Sequence, residues 1–250
     1  MMSRFIEAQM QADLVQPPLS ALWDVLQTLD EISPVSKPER RKRACKIYEA
    51  AADYLDWDQD HKFALSWPGN TPRRESPGVD DKRQTLLGAA VITGNLSMVR
   101  DLLEDTSIDV NYESPFFGRP LQLAARWVHI TVLEFLLAHG ADPLVMQVQT
   151  NDFHPATHFR GKVWGVYYSS HGSALQVACL AGHVSIVRVL LRSQNALLLE
   201  QCHSALLSAC RGGHILVIQA LLEAVPGLEA TAKERIFFTA CRQGRLEVVW

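Results

Sequence analysis

Apolar and polar positions along residues 83–250 repeat one pattern five times. The stretches LLGAAVITGNLSMVRDLL, LQLAARWVHITVLEFLL, LQVACLAGHVSIVRVLL, LLSACRGGHILVIQALL and FFTACRQGRLEVVW align on a shared alanine: Ala90, Ala124, Ala178, Ala209 and Ala240. Each opens on apolar residues, reaches that alanine, turns, and resumes with apolar residues at helical spacing. Four end in a leucine pair, Leu102-Leu103, Leu136-Leu137, Leu190-Leu191 and Leu221-Leu222. This periodicity predicts two short helices per unit. One such pair has an apolar face too large to leave wet and too small to close on itself, so the units must stack. Leu133, Leu136 and Leu137 on one unit and Val187, Leu190 and Leu191 on the next are spaced for a shared seam. The small residues Ala124, Ala125, Ala178 and Cys179 let the first helices approach closely.

Glycine fills the turn between the two helices at Gly94, Gly182, Gly213 and Gly244, the last three spaced 31 residues apart. A residue just beyond a helix often takes a left-handed backbone, which glycine adopts without a Cβ penalty. The second unit has Val128 in this slot, so its turn is expected to be strained or altered. Between the second and third units lies an insertion within 145–171, about 21 residues beyond a 33-residue period. Its tip, residues 151–161, is polar and contains proline. In its flanks Met146, Val148 and Thr150 alternate with Val145, Gln147 and Gln149, and Trp164, Val166 and Tyr168 with Val163, Gly165 and Tyr167. That alternation predicts an enlarged β-hairpin with strands near 144–150 and 162–168. Isolated hairpins are marginal in water, so Trp164, Tyr167 and Tyr168 are expected to pack on a neighbouring repeat or to meet a partner.

The first 82 residues do not follow the repeat. Leu19, Leu22, Val25, Leu26 and Leu29 predict one amphipathic helix. Ser36-Lys37-Pro38-Glu39 has the capping-box spacing that opens a second, whose apolar stripe is Ala44, Ile47, Tyr48, Ala51 and Leu55. Prolines and glycines then mark a linker over 68–82.

At this point the chain resembles the ankyrin-repeat family, whose unit is about 33 residues, a β-turn followed by two antiparallel helices. Arg119-Pro120-Leu121-Gln122 and Thr85-Leu86-Leu87-Gly88 stand where that family has Thr-Pro-Leu-His; Gly182-His183, Gly213-His214 and His139-Gly140-Ala141-Asp142 match later positions. No unit carries the full tetrad. The resemblance covers 83–250 and implies an all-α solenoid of stacked helix pairs with β-turn or hairpin fingers, here preceded by a helical segment over 1–67 and the linker 68–82. The fifth unit ends at Trp250, before its second helix reaches a leucine pair. The natural array is expected to continue, or this chain to be cut short.

Composition narrows the chemistry. A chain of 250 residues with 48% hydrophobic and 20% charged residues and a formal net charge of −3 is ordinarily globular. Such a balance gives no bulk attraction to nucleic acid or anionic membranes. The amino terminus MMSRFIEAQMQADL is broken by Glu7, Gln9, Gln11 and Asp13, so it lacks a signal-peptide core. An intracellular protein, cytoplasmic or nuclear, is the expectation. Cys179, Cys210 and Cys241 recur with the repeat, but equivalent positions on packed helices lie roughly 8–10 Å apart, beyond the Cα reach of a disulfide at about 7 Å. They read as small apolar fillers, with Cys45 and Cys202 standing apart. His129, His183 and His214 follow the turn and read as hydrogen-bonding groups near a helix start. His154 and His158, with Asp152 and His171, have ligand character, but Pro155 disfavours one helix presenting both histidines, and an exposed polar loop is the reading. No Cys-x-x-Cys, nucleophile elbow, phosphate loop, dinucleotide fingerprint or His-Glu-x-x-His occurs. Neither a cofactor nor a metal is expected, and no catalytic residue is assigned.

The function implied by the resemblance is that of a non-catalytic scaffold binding another protein on a concave surface of inner helices and fingers. Nucleic acid and membrane insertion are not expected. The repeat phase places Arg126, Trp127, Arg211 and Arg242 toward that surface, and the finger adds Trp164, Tyr167 and Tyr168. Arginine can pair carboxylates and tryptophan can anchor an interface. Two alternatives remain: a nuclear regulatory protein using the basic run KPERRKRACK at 37–46, or the regulatory part of a larger enzyme. Asn95-Leu96-Ser97 is a formal glycosylation sequon at a helix start and is discounted.

Overall fold

The computed structural model describes residues 17–54, 79–114, 116–144, 172–193 and 199–225, with positions 241 and 244. Among these residues the regular structure is helical, apart from isolated β-bridge residues at Ser114, Gly118 and Gly172. They belong to two compact units, 1–118 and 119–250.

The first unit contains α1 (Pro17–Ile32), α2 (Lys37–Tyr54), α3 (Val79–Thr93) and α4 (Leu96–Leu103). The amphipathic stripe of α1 buries Leu22, Val25, Leu26 and Leu29, and that of α2 buries Ala44, Ile47, Ala50 and Ala51. Both helices pack on α3, as does α4. With three neighbours, every residue of α3 from Thr85 to Ile92 is buried, which explains the absence of a polar side in that stretch. The α1–α2 hairpin thus covers the first repeat's inner helix as a terminal cap must. Helix α3 begins at Val79, within the stretch read as linker. Its turn before Thr85 carries the exposed Lys82 and Arg83, which suit a solvated helical extension as well as a loop.

Local polar contacts fix the joints of this unit. The Glu39 carboxylate accepts from the Ser36 amide at 3.2 Å and the Ser36 hydroxyl at 2.7 Å, the reach-back half of the capping box. Those bonds hold Glu39 below the usual carboxylate range. Asn95 caps α4, accepting from the Met98 amide at 3.2 Å, and its Nδ2 donates to Ser33 Oγ at 3.3 Å. The sequon asparagine therefore has both ends of its amide engaged. Residues Ser114 and Gly118 exchange two backbone hydrogen bonds around a tight turn, a small finger whose Phe116 and Phe117 turn inward.

Among the described residues the second unit stacks three helix pairs. The inner helices are α5 (Pro120–Arg126), α7 (Ala174–Ala181) and α9 (Leu199–Gly212); the outer are α6 (Ile130–Ala138), α8 (Val184–Arg192) and α10 (Ile215–Ala224). Inner packs on inner and outer on outer, α7 lying between α5 and α9, and α8 between α6 and α10. Ala124, Ala125, Ala178, Cys179, Ala209 and Cys210 are buried on the inner layer, where small side chains permit the close approach. In the outer seam Leu133, Leu136, Val187 and Leu190 are buried, while Leu137 and Leu191 are half-buried. Helix α7 opens with a full capping box: Ser173 Oγ accepts from the Gln176 amide, and Gln176 Oε1 accepts from the Ser173 amide. Helix α9 runs five residues ahead of Ser204, the position equivalent to Ser173.

Val128 has φ +60°, the one positive φ at a non-glycine residue among those described. Its equivalents Gly94, Gly182, Gly213 and Gly244 have φ between 65° and 80°. The turn thus keeps its geometry and places the strain on a β-branched residue, for which this region is an outlier. The predicted hairpin at 144–150 and 162–168, the His154–His158 cluster and nearly all of the fifth unit lie outside the described residues.

Candidate partner-binding face

Two equivalent slots on each inner helix, four residues apart, hold Gln122 and Arg126 on α5, Gln176 and Leu180 on α7, and Leu207 and Arg211 on α9. Gln122 is buried, donating through Nε2 to the Gly172 carbonyl of the next unit. Arg126, Gln176, Leu180 and Leu207 are half-buried and Arg211 is exposed. Trp127, the C-cap of α5, is half-buried beside Arg126. The structure therefore carries Arg126, Trp127 and Arg211 on one layer, interleaved with the apolar Leu180 and Leu207. Arg242, Trp164, Tyr167 and Tyr168 lie outside the described residues.

Histidines set the base of this face. His183 and His214 occupy the N-caps of α8 and α10, but neither caps its own helix with its side chain. Each reaches back one unit instead: His183 Nε2 to the Arg126 carbonyl at 3.0 Å, and His214 Nε2 to the Leu180 carbonyl at 2.9 Å. A carbonyl only accepts, so Nε2 carries the proton in both rings. Burial, reinforced by His214 and Arg126 nearby, pushes the His183 pKa below its ordinary value despite the bond to the Arg126 carbonyl. The reading of these histidines as groups serving a helix start is corrected: their bonds tie successive units together. The recurrence of Gly-His at 182–183 and 213–214 was the available signal, but a repeat period does not reveal which neighbour a side chain reaches.

His214 has room because two glycines make it. A Cβ on Gly182 would stand 2.6 Å from the His214 ring, and one on Gly212 would stand 2.4 Å from that ring and 2.5 Å from the Leu180 carbonyl oxygen.

The thiols supply no evident chemistry. Burial raises the pKa of Cys179 and Cys202, and pushes that of Cys210 up to about 11, which keeps each a protonated filler. Cys202, read as standing apart, is buried in α9; Cys241, read as a filler, is exposed. Among the described residues no group of three or more His, Cys, Asp or Glu could hold a metal ion.

Part of the basic run is also structural. Arg43 Nη1 donates to Asp30 Oδ1 at 2.9 Å, to the Ser33 carbonyl at 2.9 Å and to the Leu29 carbonyl at 3.3 Å, with its side chain only 9% exposed. Arg40 Nε lies 2.5 Å from the other Asp30 oxygen. Two of the run's arginines thus fasten α2 to the end of α1.

Against known families, residues 62–147 match the model for ankyrin repeats, three copies. Over that third of its length the chain is similar to ankyrin repeats. The helix pairs of its second unit continue the same inner and outer layering past residue 147. Over 71 residues the chain is 38% identical to palmitoyltransferase AKR1 of Lachancea kluyveri, covering 28% of this chain and 10% of that protein. The chain thus spans a small fraction of that relative's length. Ankyrin repeats mediate contacts between proteins, and the repeat domain is typically non-catalytic. Among the described residues no helix is long and apolar enough to cross a membrane.

Proposed function

We propose that this protein is a non-catalytic adaptor that binds another protein across the exposed face of its inner helices. The observation that carries this reading is the mixed surface of Arg126, Trp127, Leu180, Leu207 and Arg211, each exposed or half-buried on the layer of inner helices. Arginine and an aromatic anchor beside half-buried leucines are the composition of an interface centre. The reading is tested by affinity purification with mass spectrometry, comparing the wild type with Trp127→Ala/Leu207→Gln on the inner layer and Glu134→Ala/Arg188→Ala on the outer. Partners should be lost from the first variant alone while circular dichroism shows all three folded. Equal recovery from both variants would sink the proposal.

The name of the relative favours a second reading, in which these repeats are the regulatory part of a larger enzyme. The intact mass of the protein from its natural source decides it. A mass matching 250 residues excludes that reading, and a much larger one supports it.

A further inference from the structure

Five residues before the shared alanine lies a slot at which an inner helix can start, filled by Thr85, Arg119, Ser173 and Ser204 in the first four repeats. Arg119 and Ser173 are the N-caps of α5 and α7, and each follows a glycine of positive φ, Gly118 at 81° and Gly172 at 113°. A right-handed helix cannot run through such a backbone. Ser173 then caps α7, its Oγ accepting from the Gln176 amide at 3.3 Å, and a Cβ on Gly172 would collide with Gln176 Oε1. Where Gln84 and His203 stand in place of the glycine, α3 and α9 run through the slot from Val79 and Leu199. A helix that passes a cap residue denies its oxygen the amide it would otherwise take. A mid-helix threonine ordinarily turns its hydroxyl to the carbonyl one turn back. Thr85 does not: it is 1% exposed and, among the described residues, its hydroxyl has no partner.

The described side chains ahead of Thr85 hold the extension by weak ties. Lys82 Nζ lies 4.0 Å from Asp24 Oδ2, and Arg83 Nη1 lies 2.6 Å from Asp105 Oδ2, both pairs reaching solvent. Ion pairs of that kind contribute little. Gln84 Oε1 adds an acceptor for the Asp109 amide at 3.2 Å. Against these ties stands the buried hydroxyl, which a helix starting at Leu86 would satisfy through the amide of Gly88, the position equivalent to Gln176.

We infer that α3 exchanges between the long helix and a shorter one that begins at Leu86, with Thr85 as its latent N-cap. In the short form residues 79–84 leave the helix, and the first repeat enters its inner helix as the second and third do. The segment before the first repeat is thus conditional, helical while the hydroxyl is unpaired and open to a partner once it caps. A partner that takes the opened segment draws the balance toward the short form.

Hydrogen exchange with mass spectrometry on the full chain reads this opening. The amides of residues 83–87 are bonded in the long form alone, because a helix leaves its first amides without partners, whereas those of 89–93 are bonded in both. Thr85→Val should slow exchange at 83–87 about tenfold, since valine takes the unpaired group out of the long form and the cap out of the short one. Thr85→Ser should restore the wild-type rate. Gln84→Gly should speed exchange at 83–87 about fivefold, the helix penalty of one glycine, and leave 89–93 unchanged. Ordinary fraying does not depend on the hydroxyl, so equal rates at 83–87 in wild type and Thr85→Val overturn the inference. Slowing of 83–87 and 89–93 by the same factor also overturns it, as a stabilisation of the whole unit, and so does a Gln84→Gly protein with unchanged exchange at 83–87.

Discussion

Gly212→Ala sets two physical effects against each other. Gly212 is the last residue of helix α9 and lies beside His214. By helix propensity alone, alanine should stabilise the protein by roughly 0.5–1 kcal/mol. The packing predicts the opposite, because the new methyl would lie 2.4 Å from the His214 ring and 2.5 Å from the Leu180 carbonyl oxygen. Carbon atoms do not tolerate such separations, so the ring must leave or the α7 and α9 backbones must part. Overpacking of this kind costs about 1–3 kcal/mol, and loss of the bond from His214 to the Leu180 carbonyl adds about 1 kcal/mol. Propensity offsets part of this, leaving a net destabilisation of about 2 kcal/mol. For a domain of 150–250 residues that corresponds to a fall in thermal midpoint of roughly 4–8 °C. Differential scanning calorimetry and urea titration measure it directly. In a His214→Ala background the cost should shrink, leaving only the contact with the carbonyl. A Gly212→Ala protein as stable as wild type would refute the argument that this glycine seats the histidine.

Val128→Gly should move stability the other way, by about 1 kcal/mol, since a left-handed β-branched residue costs about 1–3 kcal/mol and glycine returns about 0.5–1 kcal/mol of that as chain entropy; a lowered urea midpoint would contradict it. Thr85 is buried and, among the described residues, its hydroxyl has no hydrogen-bond partner, so Thr85→Val should raise the midpoint, the unpaired group costing about 1–3 kcal/mol; a destabilised variant would mean the hydroxyl is satisfied after all. For His183, whose pKa is lowered in the fold by burial, the unfolded chain takes up the proton first as pH falls through about 6.5. Its contribution should be intact above that pH and be lost progressively below it. Urea midpoints between pH 7.5 and 5 should therefore fall more steeply for wild type than for His183→Gln, and parallel curves would count against this. Under native conditions iodoacetamide should modify the exposed Cys241 fastest and the half-buried Cys45 more slowly, leaving the buried Cys179, Cys202 and Cys210 protected; mass spectrometry of early labelling, with rapid modification of any buried thiol, would show the packing to be wrong.

The repeat period determined the helix pairs, the small inner-layer residues and the glycine turns, because these depend on local spacing and on backbone φ, which neighbours in sequence dictate. Even the strained Val128 was legible as an exception in a slot otherwise filled by glycine. The α1–α2 helices were legible as well, from their apolar stripes and from Ser36 and Glu39. What those helices cover was not, since the burial of Thr85–Ile92 on every side arises only when α1, α2 and α4 converge on α3. Nor could spacing reveal that Arg43 leaves the basic run to bind Asp30, or that His183 and His214 reach back across a unit rather than serve their own helices. Cys202 shows the same limit: it breaks the 31-residue period yet is buried, while the in-period Cys241 is exposed. Periodicity reports which side of a helix a residue occupies, whereas hydrogen-bond partners and burial depend on atoms tens of residues away, which only stacking brings within reach.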